Sequence, residues 1–235
     1  MEKFISVVVP AYNEEKYLTP CLESLAGQDY PRDKFEIIVE LSGSTDATEA
    51  IARKFAKKIT NTGGKNGVSA ARDNGARAAE GEIIAQTDAD TVVSKNWLST
   101  INKNFEDDSV VGLTGRVEFL EANWVFKTSA KYFYPIFVKT LFSLGKSIFS
   151  GMNFAIKKDT FEAIGGFNKN LVSAEDLDLG VRASKLGKVK FCDDMIVYTS
   201  ARRVDKSPTK FLAHNVVNGF SFLFLKKARS FENIR

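Results

Sequence analysis

The first half of the chain alternates between short apolar runs and stretches with helical spacing. The runs at residues 4–12 and 35–41 are apolar and rich in β-branched side chains. Such runs are typical of strands buried on both faces of a parallel sheet. A third run, at residues 83–86, leads directly into Asp88 and Asp90. We therefore predict three buried strands, the last of which ends at two carboxylates.

The segments between these runs have the spacing of amphipathic helices. Leu18, Leu22 and Leu25 recur on one helix face, and Ile51 and Phe55 lie four residues apart. Helices are predicted over residues 43–58 and 66–79, and from Ser94 to Phe105. Strands and helices that alternate with short connections indicate an α/β fold with an open, mostly parallel sheet flanked by helices.

Size and composition limit the number of domains. The chain has 235 residues, of which 44% are hydrophobic, and this is enough to bury one sizeable core. We predict a single domain over residues 1–235. No run reaches the roughly 18 apolar residues that suggest a membrane span. The N-terminus has no signal-peptide pattern because a strand-like run begins at Phe4, so we expect a cytoplasmic protein.

The residues that usually bind zinc are scarce. Cys21 and Cys192 are the only cysteines, and His214 is the only histidine. Neither a thiolate zinc site nor a disulfide framework is predicted, and His214 is interpreted as a core or surface residue. Any metal must therefore be held by oxygen ligands.

Basic charge is concentrated late in the chain. Residues 1–121 carry 14 Lys and Arg against 20 Asp and Glu, whereas residues 122–158 carry six Lys and no acidic residue. Residues 200–235 carry eight basic and two acidic residues. This distribution favours an anionic partner such as phosphates or a lipid surface, although solvated lysines on helices would give the same pattern. Nucleic acid is not expected, because the acidic first half would repel its backbone.

Polar residues follow each predicted strand at its carboxyl end. In open α/β sheets ligands bind beyond these ends, which places residues 10–14, 41–46 and 88–90 at one candidate site. A D-x-D motif is weak evidence alone, and Asp176 and Asp178 form a second copy. Carboxylates at a strand end suit a hard divalent cation that keeps positions open for phosphates.

Five segments, taken in order, resemble the successive motifs of family 2 glycosyltransferases of GT-A fold. They are VVVPAYNEEKYL, GSTDATEAIA, GVSAARDNGARAAEGEIIAQTDADT, GMNFAIKKDTFEAIGGFN and AEDLDLGVRASKLG. The resemblance covers roughly residues 4–200 and is specific only when the motifs are taken together. It implies a GT-A (Rossmann-like) fold, a nucleotide-diphosphate sugar as donor, Mn²⁺ or Mg²⁺ as cofactor, and inversion at the anomeric carbon.

The resemblance also implies which residues bind the donor. The pocket for the nucleotide base is implied at Pro10, Ala11, Tyr12 and Glu14. Asp88 is implied to contact the ribose and, with Asp90, to hold the metal ion against the diphosphate. Arg72 lies in the helix that precedes this motif, where it faces the nucleotide or forms a structural ion pair.

On the acceptor side, direct displacement requires a general base opposite the leaving diphosphate. Glu175 and Asp176 match the E-D pair of the family, and Asp176 is predicted to be the base. The competing interpretation is an acidic helix start, which we adopt for Asp178 because Arg182 lies four residues later. Gly151 is predicted to let a substrate approach the backbone.

One position departs from the family pattern. The family usually places two aspartates immediately before the glycine of the G-S-T-D turn, but this chain has Leu41 and Ser42 there, with Glu40 one step earlier. Ser42 is predicted to replace the base-reading carboxylate with a neutral hydrogen bond, or Glu40 reaches in from a shifted register. UDP, GDP and dTDP donors all stay open.

Two late segments combine basic and bulky apolar residues. Residues 123–149 contain four Lys and eight aromatic residues, and residues 199–229 end in a basic cluster. Either the segments lie at a membrane surface, which suits a lipid-linked acceptor and the cytoplasmic membrane face, or they cover the sheet. Arg202 and Arg203 follow a predicted strand and are candidates for clamping phosphates.

The sequence predicts three parts within the single domain: a nucleotide-sugar half (1–115), an acceptor half (116–200) and a basic, helical C-terminal segment (201–235). The acceptor is expected to be a glycan or a lipid-linked hydroxyl or phosphate. Two alternatives from other classes are a nucleotidyltransferase on a similar sheet and a non-catalytic module that binds sugar nucleotides or glycans. The former usually has a glycine-rich basic first loop, whereas PAYNEEKY is acidic.

Overall fold

The computed structural model describes residues 1–64, 67–122, 124–171 and 173–202. These residues form an eight-stranded sheet with helices on both faces. The strands are β1 (Ile5–Pro10), β2 (Phe35–Glu40), β3 (Lys58–Thr60), β4 (Ile83–Gln86), β5 (Thr91–Val93), β6 (Val110–Phe119), β7 (Phe154–Lys157) and β8 (Lys188–Thr199). The helices are α1 (Leu18–Ala26), α2 (Thr48–Ala52), α3 (Gly67–Arg77), α4 (Trp97–Asn104), α5 (Trp124–Thr128), α6 (Tyr134–Ser143), α7 (Lys158–Ala163) and α8 (Glu175–Ala183).

The sheet has the order β3-β2-β1-β4-β7-β6-β8-β5. Strands β3, β2, β1 and β4 are parallel, as the alternation of strands and helices predicts. Strand β7 lies antiparallel between β4 and β6, and β5 is antiparallel to β8. Four of the seven pairings are therefore parallel, counting β6 with β8, and the sheet is mixed.

This order determines which chain segments meet at one edge. The carboxyl ends of β1, β2 and β4 share an edge because these strands are parallel. Strand β7 is antiparallel to both β4 and β6, so β6 runs in the same direction as β4. Strand β8 is parallel to β6 and therefore also runs in that direction. The end of β8 and the start of β7 therefore lie at the same edge as the D-x-D motif.

The central strands are buried on both faces. Val7 and Val9 pack into one core with Leu22 of α1, whereas Val8 packs into a second core on the other face with Ile84. All of these side chains are 0–1% exposed. Burial on both sides explains why the strands are apolar throughout instead of alternating with polar residues.

The predicted helix over residues 43–58 is much shorter than expected. Helix α2 covers only Thr48–Ala52, because residues 41–47 form a turn in which Asp46 accepts a hydrogen bond from the backbone of Thr48. Residues 58–60 then form β3, which pairs with β2. The predicted boundary between residues 115 and 116 falls inside β6.

Candidate active site

The predicted donor-side segments converge at the edge of the sheet. Residues 11–14 follow β1, which ends at Pro10, residues 41–46 follow β2, and residues 87–90 follow β4. The loops after β1 and β2 are joined by a hydrogen bond from the backbone of Asn13 to the hydroxyl of Ser44 at 3.1 Å, and the backbone of Thr87, at the start of the third loop, donates to the carbonyl of Val8 in β1 at 3.3 Å. The loops therefore form one contiguous wall.

Arg72 connects the two carboxylate pairs that the sequence places far apart. Its side chain, 7% exposed, extends from α3, and its Nη2 lies 2.8 Å from Oδ1 of Asp88. Its Nε lies 3.3 Å from Oε1 of Glu175. It also donates to the carbonyl of Gly151 and, at 3.3 Å, to Oε1 of Gln86. Arg72 therefore forms the ion pairs that one of its two interpretations predicts.

The position of the Arg72 side chain explains why residue 151 is a glycine. A Cβ at this position would lie 2.8–2.9 Å from the guanidinium of Arg72. The space beside Gly151 is thus filled by Arg72, and no substrate contact is needed to explain the residue. A larger side chain would push the guanidinium away from both carboxylates.

Glu175 and Asp176 begin α8; Glu175 is buried and Asp176 is partly buried. The backbone of Gly151 donates to Oδ2 of Asp176 at 2.6 Å, and the backbone of Leu177 donates to its Oδ1 at 2.9 Å. Burial raises the pKa of Asp176 against the lowering effect of Arg72. Burial, and after it the charge of Asp176, raises the pKa of Glu175 from its ordinary 4.5 to about 7. Both carboxyls therefore hold a proton at higher pH than usual.

The backbone before α8 is strained. Ala174 has φ 61°, Ser42 has φ 49° and Asn13 has φ 53°, and these are the non-glycine residues with positive φ among those described. Each one adjoins a candidate site segment. Positive φ in non-glycine residues costs energy and concentrates at functional sites, so the three positions support one site formed by these loops.

Arg202 lies on the other side of the D-x-D motif. Its Nη2 is 2.8 Å from Oδ2 of Asp90, and its guanidinium pairs with both carboxylate oxygens of Glu14, at 2.8 Å for Nη1. The guanidinium also stacks over the ring of Tyr17 at 4.7 Å. Each aspartate of the motif therefore has an arginine partner: Asp88 pairs with Arg72, and Asp90 pairs with Arg202.

Glu40 does not point into the candidate base pocket. Its carboxylate is fully buried and accepts hydrogen bonds within the protein. The donors are the backbone of Ser42, the hydroxyl of Thr60, the backbone and hydroxyl of Thr62, and the amide of Asn74. The prediction that Glu40 reaches in from a shifted register is therefore wrong, because its hydrogen bonds hold the loop after β3 and a residue of α3. Asn74 and the two threonines were not predicted, since nothing in their spacing marks them as partners of a buried acid.

The remaining residues predicted for the base pocket differ in their exposure. Ala11 is buried, Pro10 and Ser42 are partly exposed, and Tyr12 is 38% exposed. Asp178 is paired with Arg182 at 2.7 Å, so this pair is structural as predicted. Arg203 and His214 lie outside the described residues, as does most of the basic segment 201–235.

Comparison with protein families gives a match over most of the chain. A sequence model described as "Glycosyl transferase family 2" matches residues 6–165. Glycosyltransferase AglE of Haloferax volcanii is 31% identical over 208 residues, which cover 85% of this chain and 67% of AglE. Poly(ribitol-phosphate) beta-N-acetylglucosaminyltransferase TarS of Staphylococcus aureus is 41% identical over 106 residues, which cover 42% of this chain and 18% of TarS.

Solved structures share the fold. Mannosyltransferase PcManGT of Pyrobaculum calidifontis, in complex with GDP-Man and Mn²⁺, has a TM-score of 0.74 at 23% identity, and the match covers 98% of this chain and 66% of that protein. A fragment of S. aureus TarS in complex with UDP-GlcNAc has a TM-score of 0.64 at 22% identity, covering 84% of this chain and 58% of that one. At these identities the likeness is one of fold, and the chain spans only part of most of these relatives.

Proposed function

The chain belongs to glycosyl transferase family 2 and has the GT-A fold, and from this premise we propose that it transfers a sugar, with inversion, from a nucleotide-diphosphate sugar to a hydroxyl or phosphate acceptor. One observation carries the proposal. The buried guanidinium of Arg72 lies between Asp88, on the side of the D-x-D motif, and Glu175, beside the predicted base. A donor and an acceptor side are thus adjacent, as a single displacement requires.

We assign the donor diphosphate and its metal ion to the D-x-D side. Asp90, and across the same turn Asp88, would hold Mn²⁺ or Mg²⁺, since carboxylates are hard oxygen ligands. Among the described residues no group of three or more His, Cys, Asp or Glu side chains could hold a metal ion. Oxygens of the diphosphate and water would therefore complete the coordination. When bound, the ion neutralises charge on the departing diphosphate.

The local charges fit a cation at this position. Asp90 has a cationic partner, because Nη2 of Arg202 lies 2.8 Å from its Oδ2. Arg202, with Arg203 after it, is proposed to contact the diphosphate of the donor. Ser42, Tyr12 and the backbone at Ala11 are proposed to bind the base, with Glu40 acting only on the loop beneath it.

Asp176 is proposed to be the general base. It accepts the proton from the acceptor hydroxyl as the hydroxyl oxygen forms a bond to the anomeric carbon. The bond from that carbon to the diphosphate oxygen breaks on the opposite face, and the nucleoside diphosphate leaves with the electron pair. The backbone donors at Gly151 and Leu177 hold the carboxylate in one orientation, which supports its role.

The acceptor is proposed to be a glycan or a lipid-linked group at the cytoplasmic face of a membrane. We divide the catalytic work between a nucleotide-sugar half (1–115) and an acceptor half (116–200). Support comes from the position of Asp88 and Asp90 in the first part and of Glu175 and Asp176 in the second.

Calorimetric titration with UDP, GDP and dTDP, each with and without Mn²⁺ or Mg²⁺, tests the donor side. We expect one nucleotide to bind in a metal-dependent manner, and Asp90→Asn to weaken that binding by about tenfold or more. Metal-independent binding that the variant leaves unchanged would contradict the assignment of Asp90.

Substitution of the proposed base tests the acceptor side. Asp176→Asn is expected to leave donor binding nearly unchanged and to lower kcat by about 10²- to 10⁴-fold. Asp178→Asn is the matched control: it removes a carboxylate two residues away that pairs with Arg182, and it should keep most of the activity. Normal turnover in Asp176→Asn would exclude Asp176 as the base.

A further inference from the structure

Exposed apolar side chains are concentrated in one short stretch of the structure. Of the 13 large hydrophobic residues that are exposed among the described ones, eight lie between residues 120 and 144. They are Leu120, Trp124, Val125, Tyr132, Phe133, Ile136, Phe137 and Leu144, which we term the apolar ridge. A monomeric soluble surface rarely gathers so many such side chains, so the ridge indicates an interaction surface.

The ridge belongs to a helical segment that is apolar on both sides. On the inner side of α6, Val138 and Leu141 pack into a small core with Ile148. On the outer side, Phe133 is 66% exposed and Ile136 is 62% exposed. A surface helix ordinarily turns a polar face to water, so this outward face requires an apolar environment of its own.

Lysines are the commonest charged residues around the ridge, and Glu121, next to Leu120, is an exposed acid at its start. Residues 122–158 contain six Lys and no acidic residue. Lys127 and Lys131 are exposed within the ridge segment, whereas Lys139 is neutralised by Asp193 at 2.8 Å. An apolar face flanked by lysines is complementary to a surface that is apolar inside and anionic at its boundary.

The same segment reaches the proposed acceptor side. Tyr134, at the start of α6, lies on the inner side of the ridge segment and interacts with Ser150, next to Gly151. Burial, and to a lesser extent the charge of Asp176, raises the pKa of Tyr134 to about 12. Tyr134 thus joins the ridge segment to the turn that carries Gly151, whose backbone donates to the proposed base Asp176 at 2.6 Å.

We propose that the apolar ridge docks the protein on an anionic phospholipid bilayer and brings the acceptor side to the membrane surface. This proposal rests on the proposed function in one respect: membrane docking would bring the active site to an acceptor that is lipid-linked. No helix within the described ranges of residues 1–202 is long and apolar enough to cross a bilayer. In the proposed arrangement the ridge lies at the bilayer interface, with its apolar side chains inserted and its lysines at the headgroups.

Two other occupants fit the charges less well. A second copy of the chain would bring the same lysines together across the interface. The segment at residues 203–235 is itself basic, with seven basic and two acidic residues, so it would also place like charges next to the ridge. An anionic bilayer instead attracts the lysines, because its headgroups carry the opposite charge.

Flotation with vesicles of phosphatidylcholine, and of phosphatidylcholine mixed with phosphatidylglycerol, tests the proposal. The wild-type protein should bind the anionic vesicles and only weakly the neutral ones. The triple variant Phe133→Ser, Ile136→Ser, Phe137→Ser should lose about a hundredfold or more in partitioning, because three inserted side chains no longer transfer from water. Lys127→Gln with Lys131→Gln should lose about fivefold for each lysine, equivalent to ~1 kcal/mol.

Matched controls exist on other surfaces of the protein. Leu186→Ser removes an exposed apolar side chain (55% exposed) outside the ridge. Lys54→Gln with Lys103→Gln removes two exposed lysines on other helices or loops. Both controls should float like the wild type. Metal-dependent nucleotide binding, measured on every variant, reports whether the donor side is intact.

Three outcomes would overturn the docking proposal. If the wild type binds neither vesicle while nucleotide binding is intact, the ridge has another partner and the proposed function stands. If a concentration-dependent dimer disappears in the triple variant, the partner is a second copy. If vesicles are not bound and proteolysis of residues 203–235 is faster in the triple variant, that segment covers the ridge.

Discussion

At the scale of single residues, Arg72 defines the site. One buried guanidinium pairs with Asp88 and Glu175 and donates to the carbonyl of Gly151. Because it neutralises carboxylates of both sides, removing it would leave uncompensated buried charge, which is more costly than losing a surface ion pair. Arg72 is therefore a positioning residue that keeps Asp88 and the pair at the start of α8 in one arrangement.

The raised pKa values at α8 lead to a prediction about pH. Protons bind the Glu175 and Asp176 pair more tightly in the folded protein than ordinary carboxylates bind them, and the pKa of Glu175 is about 7. A base must be deprotonated, and the pKa of Asp176 is raised, so kcat should fall with decreasing pH at a pH above the ordinary carboxylate range. Steady-state kinetics with saturating substrates at a series of pH values measure this decrease, the acidic limb of the pH profile of kcat.

Glu175→Gln is the corresponding control. It removes the negative neighbour of Asp176, so the proton of Asp176 should dissociate more easily and the acidic limb should move to lower pH. A limb that stays at the same pH in this variant would show that another group titrates. Donor binding, followed in parallel, separates this effect from a loss of the Arg72 arrangement.

At the scale of elements, the contact between β6, β7 and β8 supports the acceptor side. Asn153, at the start of β7, is fully buried, and its amide donates at 2.8 Å to the carbonyls of Arg116 and Met195. Its oxygen accepts from the indole of Trp97 at 2.9 Å. The register of β6 against β8 shifts between Gly115 and Arg116, so Asn153 fills the irregular gap and anchors the turn that carries Gly151.

Gly115 leaves the space that Asn153 needs. A Cβ there would meet the carbonyl of Met195 and would lie 2.6 Å from the amide nitrogen of Asn153. Gly115→Ala is therefore expected to lower the free energy of unfolding by about 2–4 kcal/mol. Urea unfolding monitored by tryptophan fluorescence measures the loss.

Gly27→Ala is a suitable comparison. Gly27 follows α1 with φ −90°, and a Cβ there would lie 3.3 Å from a backbone oxygen, so the change should cost about 1 kcal/mol or less. Equal losses in the two variants would mean that the gap at Gly115 can relax. In that case Asn153 would not be held as tightly as its three hydrogen bonds indicate.

At the scale of the whole molecule, Arg202 links the two ends of the described chain at the candidate site. It is 188 residues from Glu14, yet the two side chains form a bidentate pair because β8 ends at the same edge as β1. The same guanidinium holds Asp90. Arg202 thus pairs with a carboxylate that we assign to the metal ion.

Arg202→Met separates the two roles of this arginine. Without nucleotide, Mn²⁺ should bind about fivefold more tightly, since no internal cation competes for Asp90. With nucleotide diphosphate present, affinity for the nucleotide should fall about tenfold, since a charged hydrogen-bond donor is lost. Electron paramagnetic resonance of free Mn²⁺ and calorimetry measure these two quantities.

Arg53→Met is the control for this prediction. Arg53 pairs with Glu49 within the exposed end of α2 and has no described contact with Asp90 or Glu14. It should change neither affinity. If Arg202→Met also changes neither, Arg202 does not respond to the metal ion or to the diphosphate.

Residues 4–12 and 83–86 show what the chain alone predicts well. Burial on both faces leaves a continuous apolar run, which is local information, so these strands and the loops after them could be placed. The weak points were short elements: β3 and β5 have three residues each and exist through pairing with β2 and β8. Periodicity over three residues does not distinguish a strand from a helix end.

By itself, the sequence determined the strand and helix alternation, the edge at which polar residues collect, and the types of residue available there: oxygen ligands, paired acids and arginines. Only the tertiary structure decided their partners. In the structure β7 lies antiparallel between β4 and β6, Arg72 lies between Asp88 and Glu175, and the side chain of Glu40 points into the protein interior. The reason is physical: propensity and periodicity depend on neighbours in the chain, whereas the partner of a buried charge depends on which distant segments the sheet order brings within about 3 Å.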